Sequence, residues 1–446
     1  ATLRERAAWY ATEVYVGTYD QYQPLKRGKP STRLDADELY RLEPALRPGL
    51  HGAVTFDEWG IDSHRLCVVN ALDARAHGAE VRTWTEARGL LLEAGQVRGV
   101  RWRDAITGEE GEARAPVVFN ATGAWSPAFA RRQGVSVPMR PGKGVHLTLD
   151  RRFSNYGVLC TAVDGRQTFL MPHESESIVG TTDDDYYGDP DDLEATNDEV
   201  EYLLEGVESL LPTVRRARVT RAWCGLRTTI YEYGRNEDAL SREHQLLDGA
   251  AEGAAGLLSL VGGKLASYRA QSEEATDRIF ALLGRPVVRC RTHELPLPGG
   301  EDVPDAGALA REHGVAAPAV ARIVYRHGAR ARDVLALVRD DPRLGLVLCR
   351  DEGILAAEVV HCVREEGVRR LRDLRSRCRV SVGACGGVDC ARVAAQLAGR
   401  ELGWSPDQVR AELLDLLEVG WRERRPALDG HALPQEELLR GAFAGV

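Results

Sequence analysis

Residues 260–269 read LVGGKLASYR. An apolar run leads into two glycines and a helical pattern follows at once, which is the order of a strand–turn–helix unit. Backbone amides at the start of such a helix, together with Lys264, can hold an anion or the electron-rich edge of a ring. The G-x-x-x-x-G-K-[ST] spacing of a P-loop is absent from this stretch. The stretch therefore predicts a layered protein of strands and helices with a ligand-binding turn.

A second turn of this kind lies upstream, where residues 117–125 read VVFNATGAW. The continuous apolar run at residues 117–119 is typical of a buried strand. The small residues that follow allow a ligand to approach the backbone closely. An ordinary strand–turn–helix connection explains the same pattern equally well.

Elsewhere, short β-rich runs alternate with helical patterns up to about residue 260, and the rest of the chain is mostly helical beyond a Pro/Gly-rich linker at residues 295–300. Capping boxes begin helices at Thr196, with Glu199, and at Ser405, with Gln408. We predict a helix at residues 66–78 and strands at residues 80–84, 97–102, 115–120, 168–171 and 177–180. This mixture favours an α/β or α+β fold.

Length and charge narrow the class of protein. A chain of 446 residues is long enough for two or three domains. Its 58 basic and 67 acidic residues give a net charge of −9, which argues against nucleic-acid binding. No run approaches the roughly 18 apolar residues of a membrane span, and residues 1–20 carry no apolar signal core. We therefore expect a folded cytoplasmic protein with reduced cysteines.

Two further stretches contain side chains suited to catalysis. Residues 140–146 read RPGKGVH and place His146, a group able to move a proton near neutral pH, on an expected strand. Residues 224–227 read CGLR, and Arg242 follows downstream; the arginine fork suits phosphate or carboxylate. A basic surface turn and solvated ion pairs are the alternatives. The hydroxyl-rich GTTD at residues 180–183 is either a ligand loop or an Asx turn.

Five of the nine cysteines fall between residues 349 and 390. Cys349 precedes Asp351 by two residues, and Cys385 and Cys390 flank the four residues GGVD. Two close pairs of this kind are typical of an iron–sulfur cluster, and zinc is the rival metal. Five unrelated buried thiols are the remaining alternative.

Taken together, these motifs resemble the FAD-dependent glycerol-3-phosphate dehydrogenases. They stand in that family's order: EPAL at 43–46, IDSHRL at 61–66, NATG at 120–123, KGVH at 143–146, GTTD at 180–183, GLR at 225–227, SR at 241–242, and GGKL at 262–265 with YR at 268–269. LRDLRSRCR at 371–379 and GACGG at 383–387 are similar to the FAD-containing chain of the anaerobic type. The C-terminal domain of that type resembles bacterioferritin-associated ferredoxin.

The resemblance implies an α/β (α+β) flavoprotein with an incomplete Rossmann-type FAD-binding domain, a mixed-sheet substrate domain and a helical C-terminal domain. The expected divisions are a FAD-dependent oxidoreductase (DAO-like) region at 1–295, a helical connector at 301–340, a ferredoxin-like [2Fe–2S] domain at 341–400 and a helical segment at 401–446. The implied reaction is oxidation of sn-glycerol 3-phosphate to dihydroxyacetone phosphate. Electrons would leave through the cluster to a membrane-anchoring subunit, then to quinone, which suggests a cytoplasmic protein or one peripheral at the inner face of the cell membrane.

The resemblance also assigns site residues. The implied catalytic residues are His146, Arg227, Lys264 and Arg242. The implied FAD-binding residues are Asn120, Thr122, Gly123, Gly262, Gly263, Lys264 and Leu265. The implied ligands of the [2Fe–2S] cluster are Cys349, Asp351, Cys385 and Cys390.

Three departures from the family pattern stand out. The sequence contains no G-x-G-x-x-G, so we expect that the family's strand–glycine loop–helix for the FAD pyrophosphate is missing before Ala1 and that the chain is N-terminally incomplete. The family's Arg-Pro is Arg227-Thr228, and one cluster cysteine is Asp351. A related FAD-dependent oxidase or dehydrogenase of another hydroxy or amino acid, and a non-enzymatic electron-transfer remnant, are the alternative functions.

Overall fold

The computed structural model of the protein describes residues 3–234 and 243–444. The strands are β1 Thr32–Asp35, β2 Gly52–Thr55, β3 Thr85–Glu93, β4 Gln96–Asp104, β5 Glu110–Arg114, β6 Val118–Asn120, β7 Met139–Leu149, β8 Val158–Thr161, β9 Gln167–His173, β10 Glu176–Gly180, β11 Asp184–Asp185, β12 Val219–Ile230, β13 His244–Asp248, β14 Leu257–Gly262, β15 Val347–Cys349 and β16 Ile354–Leu355.

The helices, given in the same order, are α1 Leu3–Tyr19, α2 Gln23–Lys26, α3 Ala36–Leu42, α4 Ser63–Ala76, α5 Ser126–Arg131, α6 Asn197–Glu208, α7 Tyr268–Leu282, α8 Ala306–His313, α9 Ala317–His327, α10 Ala331–Asp340, α11 Ala356–Glu365, α12 Leu374–Cys378, α13 Ala391–Leu402, α14 Pro406–Arg424 and α15 Ala432–Ala444. The chain divides into two compact units. Unit 1 is Ala1–Leu66, His146–Thr181 and Thr196–Ala222, and unit 2 is Cys67–Val145, Thr182–Ala195 and Trp223–Val446.

Unit 1 is built on an antiparallel sheet in which the second half of β7 pairs with β10, β10 with β9, and β9 with β8. Helix α6 packs on this sheet. Its apolar positions recur with helical spacing, so Val200, Leu203 and Val207 are buried on one face. The Thr196 hydroxyl accepts from the Glu199 N–H, and the Glu199 carboxylate accepts from the Thr196 N–H. The predicted capping box is thus confirmed.

Unit 2 contains two three-stranded sheets. One is the antiparallel meander β3–β4–β5, and the other has the order β13–β14–β6, in which β14 and β6 run parallel. An apolar cluster that includes Leu90, Val97, Phe129 and Leu257 lies between them. Both glycine-containing turns found in the sequence follow strands of the β13–β14–β6 sheet.

The C-terminal part of unit 2 is helical. Helices α8 to α14 enclose one apolar core, and its members include Ile323, Leu335, Val359, Leu374 and Leu416. The predicted start of α14 is confirmed, because the Ser405 hydroxyl accepts from the Gln408 N–H and Pro406 occupies the first turn. The expected mixed α/β fold with a helical C-terminal region is thus confirmed.

One predicted strand is wrong. Residues 79–84 form no strand, because Trp84 adopts a left-handed φ of 57° and its indole Nε1 donates to Asp373 at 3.0 Å. The strand instead begins at Thr85 as β3. The other predicted strands and the predicted helix overlap β4, β6, β9, β10 and α4. Within the described residues, no helix is long and apolar enough to cross a membrane.

Candidate functional site

The two glycine-containing turns meet because their strands are neighbours. Leu258 lies opposite Phe119, and Ser259 lies opposite Asn120, in a parallel register. The carboxyl ends of parallel strands lie at the same edge of a sheet, which is where open α/β sheets bind ligands. The turns at residues 120–123 and 262–264 are therefore adjacent.

Asn120 ties these two strands to the following helix. Its side chain is 2% exposed, and its Nδ2 donates to the Ser126 Oγ at 2.8 Å and to the Ser259 Oγ at 3.2 Å. Its Oδ1 accepts from the Thr122 hydroxyl at 2.7 Å. Gly123 follows with a φ of 59°. The buried amide thus fixes the turn, while the Thr122 and Gly123 backbone lies nearer to solvent.

A cavity of about 350 Å³ lies beside the second turn and is lined by residues 226–229 and 262–265. Gly262 and Gly263 have φ values of 75° and 87°. A Cβ on Gly262 would lie 2.3 Å from the Glu243 carbonyl oxygen, and a Cβ on Gly263 would lie 2.6 Å from the Gln271 Nε2. Both positions therefore need glycine.

Gln271 forms a hydrogen bond to the backbone of the same turn. Its side chain is buried, and its Nε2 donates to the Lys264 carbonyl at 3.0 Å. The Lys264 side chain is exposed and, within the described residues, makes no hydrogen bond or ion pair. Leu265, at 46% exposure, also faces outward. The turn therefore presents a positive charge that forms no ion pair with the described part of the chain.

Arg227 reaches the same cavity from β12. Its Nη1 donates to the Asp183 Oδ1 at 2.6 Å and its Nη2 donates to the Thr182 carbonyl at 3.1 Å, while its side chain is 28% exposed. Thr228, which follows Arg227, donates through its hydroxyl to the Gly262 carbonyl at 3.3 Å. A hydrogen bond thus joins β12 to the glycine turn next to Arg227.

His146 belongs to unit 1, where it lies opposite Gly180 on the neighbouring strand. Its ring packs directly over Gly180, because a Cβ there would lie 2.3 Å from the His146 Cδ2. The centroid of the Phe169 ring is 5.7 Å from that of His146. The imidazole is therefore held by a strand pair that requires glycine. Arg242 lies outside the described residues.

Two of the predicted cluster ligands, Cys349 and Cys390, face each other in the helical core. Each residue is at most 1% exposed. Their hydrogen bond raises the pKa of Cys349, as does burial, and lowers the pKa of Cys390. Amide N–H groups of Glu352 and Ser381 lie 3.5 and 3.4 Å from the Cys349 and Cys390 sulfurs. Hydrogen bonds to sulfur from the backbone are one means by which proteins tune iron–sulfur sites.

The other two predicted ligands lie nearby. A Cβ on Gly383 would be 2.8 Å from the Asp351 Cβ, so the segment just before Cys385 runs against Asp351. A negative charge on Cys385 raises the pKa of Cys390, against its net downward shift, and the charge of Asp351 raises the pKa of Cys349. The two sequence segments are therefore neighbours in the fold.

A buried ionic cluster in this helical region was not predicted from the sequence. Glu358, with a fully buried side chain, accepts from the Arg326 Nε at 2.6 Å, from the Arg326 Nη2 at 2.7 Å and from the His327 Nε2 at 2.9 Å. Burial by itself would raise the pKa of Glu358, but the two cations lower it to about 2. Burial would lower the pKa of His327, but Cys362, Glu358 and Glu366 raise it to about 10.

His327, His361 and Glu366 also bring three ligand atoms within 4.8 Å of one another. The Arg330 guanidinium, however, donates to the Glu366 Oε1 at 2.9 Å and contacts the His361 Nε2 at 3.2 Å. Arginine therefore already supplies the positive charge that a metal ion would bring. The signal for this cluster in the sequence is the apolar run at residues 354–363, in which Glu358 and His361 are the polar residues.

The chain is similar to known proteins over most of its length. Residues 4–269 match the FAD dependent oxidoreductase family, and residues 290–409 match the C-terminal domain of alpha-glycerophosphate oxidase. A subunit of the anaerobic glycerol-3-phosphate dehydrogenase of Escherichia coli (strain K12) is 35% identical over 427 residues, which cover 94% of this chain and 77% of the relative. The protein of the same name from Haemophilus influenzae is 33% identical over 429 residues, covering 94% and 74%.

A solved structure shares the fold. The X-ray structure of the glycerol-3-phosphate dehydrogenase from Bacillus halodurans, complexed with FAD, has a TM-score of 0.76 and 23% identity, and the match covers 89% of this chain and 81% of that chain. The sequence motifs, the fold and the two matched regions lead to one assignment. The chain belongs to the FAD-dependent glycerol-3-phosphate dehydrogenase family.

Proposed function

We propose that this protein oxidises sn-glycerol 3-phosphate to dihydroxyacetone phosphate with FAD and passes the electrons through a [2Fe–2S] centre towards quinone. The observation that carries the proposal is the pair of cations, Arg227 and Lys264, at one cavity beside the carboxyl ends of β6 and β14. A phosphorylated polyol needs a cation for its phosphate, and a reduced flavin needs one for its ring edge.

The residues at this sheet edge fit a flavin. Gly262 and Gly263 are half-buried and have no side chain to obstruct a ligand, and the Lys264 side chain is exposed. FAD, when bound, supplies the two-electron acceptor for the C2–H bond of the substrate. Lys264 would stabilise negative charge at the ring edge. The turn at Thr122 and Gly123, which Asn120 fixes, would supply further backbone contacts to FAD. The turn that ends at Leu265 would supply others.

Three residues would bind the substrate or take its proton. Arg227 would bind the phosphate or the reacting hydroxyl through its planar fork, which fixes the direction of the C2–H bond. Arg242 would be a second cation for the phosphate. His146 would take the proton of the C2 hydroxyl directly or through a relay. These roles follow from the chemistry of the side chains and from the family resemblance.

The buried cysteines support the electron-transfer part of the proposal. Cys349 and Cys390, with Asp351 and Cys385 beside them, would hold the [2Fe–2S] cluster. Both facing sulfurs have backbone N–H groups within 3.5 Å, so the donor set fits a thiolate-bound cluster. The names of the E. coli and H. influenzae relatives describe one subunit of a larger enzyme. We infer a membrane-anchoring partner for this chain, with a cytoplasmic position at the inner face of the membrane.

Steady-state kinetics test the substrate assignment. The FAD-loaded protein should reduce an artificial electron acceptor with sn-glycerol 3-phosphate and fail with glycerol, 2-hydroxy acids and amino acids. Arg227→Lys keeps the charge but loses the fork, so kcat/KM should fall about 10- to 100-fold, whereas Arg285→Lys, at an exposed position, should match wild type. Equal activity on glycerol, or unchanged kinetics in Arg227→Lys, would contradict the proposal.

The proton-transfer role has its own test. His146→Ala should lower kcat by about 100-fold or more near neutral pH, the usual contribution of a general base, and should flatten the pH profile of kcat. A variant whose pH profile keeps the wild-type shape would assign proton transfer to another group.

A further inference from the structure

Arg227 is held by a carboxylate that the proposed reaction does not itself require. Asp183 accepts from one terminal nitrogen of the guanidinium at 2.6 Å, and the Thr182 carbonyl accepts from the other at 3.1 Å. Two bonds from neighbouring residues fix the plane of the guanidinium as well as its position. The Asp183 side chain is 17% exposed, so water competes only in part for these bonds.

The segment that carries Asp183 is itself fixed. The Thr182 hydroxyl, buried at 2% exposure, accepts from the Val145 N–H at 2.9 Å. Immediately afterwards Asp184 and Asp185 pair with Lys143 and Gly142 on β7. Asp183 therefore sits between a buried hydroxyl anchor and a strand pairing, and it has little freedom to move away from Arg227.

A carboxylate beside a phosphate-binding arginine has an electrostatic disadvantage. It partly neutralises the guanidinium and repels the incoming phosphate. Attraction of the substrate therefore cannot be the reason for its position. The orientation of Arg227 can be the reason, because a free arginine side chain loses rotamer entropy when it binds substrate, and a preorganised side chain has lost that freedom already.

We propose that Asp183 is a positioning residue, which holds the Arg227 guanidinium in the orientation that receives the substrate phosphate or reacting hydroxyl. The inference rests on the proposed function of Arg227. Asp183 accepts a hydrogen bond from Arg227, and in this proposal its removal lowers activity through the loss of that bond. This predicts non-additive effects when both residues are changed, which a general structural role does not predict.

The experiment is a double-mutant cycle with Asp183→Ala, Arg227→Ala and the double variant, with Asp192→Ala as control. Asp192 is an exposed aspartate of the same unit. Two readouts are taken from each variant: kcat and KM for sn-glycerol 3-phosphate with the FAD-loaded protein, and the Kd of inorganic phosphate by calorimetry, which needs no turnover. Thermal midpoints are measured alongside.

Asp183→Ala should lower kcat/KM about 10- to 100-fold, the range of one charge-assisted hydrogen bond. In the Arg227→Ala background it should change kcat/KM and the phosphate Kd by less than about twofold. Asp183→Asn keeps an acceptor oxygen and removes the repulsion, so it should retain kcat within about threefold and bind phosphate at least as tightly as wild type. Asp192→Ala should match wild type in every readout.

Two results would overturn the inference: wild-type kinetics in Asp183→Ala, or the same fold-loss from Asp183→Ala with and without Arg227, which means that the two losses multiply. A wild-type protein that does not oxidise sn-glycerol 3-phosphate would refute the proposed function instead. In that case the phosphate Kd values decide on Asp183, because coupling between the two residues appears there without any reaction.

Discussion

Replacing Glu358 with glutamine should destabilise the helical C-terminal region by about 3–5 kcal/mol, the range for removal of one partner from a buried ion pair. Glutamine has the same size and keeps one acceptor oxygen. It leaves Arg326 and His327, whose side chains are at most 1% exposed, without the carboxylate that compensates their charge. The substitution thus changes charge and leaves the volume of the core unchanged.

The pKa of Glu358 gives a second value for the free energy of unfolding that this substitution should remove. The pKa of Glu358 falls from its usual 4.5 to about 2, despite burial, because of Arg326 and His327. At about 1.4 kcal/mol for each pH unit, this fall corresponds to about 3 kcal/mol of preferential binding of the ionised form. This value lies at the lower end of the range of about 3–5 kcal/mol for a broken buried ion pair.

Urea denaturation, followed by far-ultraviolet circular dichroism and by tryptophan fluorescence, measures the effect. The control is Glu365→Gln, which removes the same charge from an exposed position on the same helix, α11, and should change the free energy of unfolding by less than about 0.5 kcal/mol. A Glu358→Gln variant as stable as Glu365→Gln would refute the reasoning.

The pH dependence of unfolding gives a second check on this cluster. Burial and the adjacent charges of His327 and Arg330 lower the pKa of His361 to about 4, so stability should fall as the pH drops from 6.5 towards 4. The pKa of His327 is raised to about 10, so its contribution is complete below pH 6.5 and is lost as the pH rises towards 10. Glu358 loses its contribution between pH 4.5 and 2. Stability should therefore be greatest near pH 6.5, and a maximum outside pH 5–8 would contradict these assignments.

Three further predictions concern the cluster and the glycine turn. Asp351→Cys should increase iron and sulfide retained after anaerobic reconstitution, because thiolate is a softer ligand than carboxylate; equal retention would place Asp351 outside the ligand set. Cys385→Ser should abolish the electron paramagnetic resonance signal of the reduced cluster, and Cys362→Ser should preserve it. The reverse pattern would make Cys362, and not Cys385, the cluster ligand. Gly263→Ala should lower the thermal midpoint and raise KM, because its φ is 87° and its Cβ would meet Gln271, and wild-type values for both would show that the turn can relax.

Local signals in the sequence were sufficient for many elements. The capping pair Thr196 and Glu199 lies within four residues, so its hydrogen bonds depend on the helix start alone, and the structure contains both. The strand predicted at residues 80–84 failed for the opposite reason. Trp84 takes a left-handed conformation and donates to Asp373, almost 300 residues away, and a local pattern holds no information about that contact.

The candidate site was predictable only in pieces. The turns at residues 120–123 and 262–264 could each be recognised as a strand end followed by small residues. Their adjacency depends on the parallel pairing of β6 with β14, which the sequence did not indicate. The ionic cluster around Glu358 was missed because its partners lie on separate helices. Two polar residues in the apolar run at 354–363 were its only trace.

The pairing of β6 with β14 also has a consequence during synthesis. Asn120 and Ser259 are 139 positions apart. Among the strands that the structure describes, β6 lies at one edge of its sheet, and β14 is its neighbour there. At translation rates of about 5–20 residues per second, β6 leaves the ribosome roughly 7 to 28 s before its partner exists. Throughout that interval β6 lacks β14, the strand to which its backbone bonds in the folded protein, so a nascent chain stalled between these positions would hold this edge of β6 unpaired and open to aggregation.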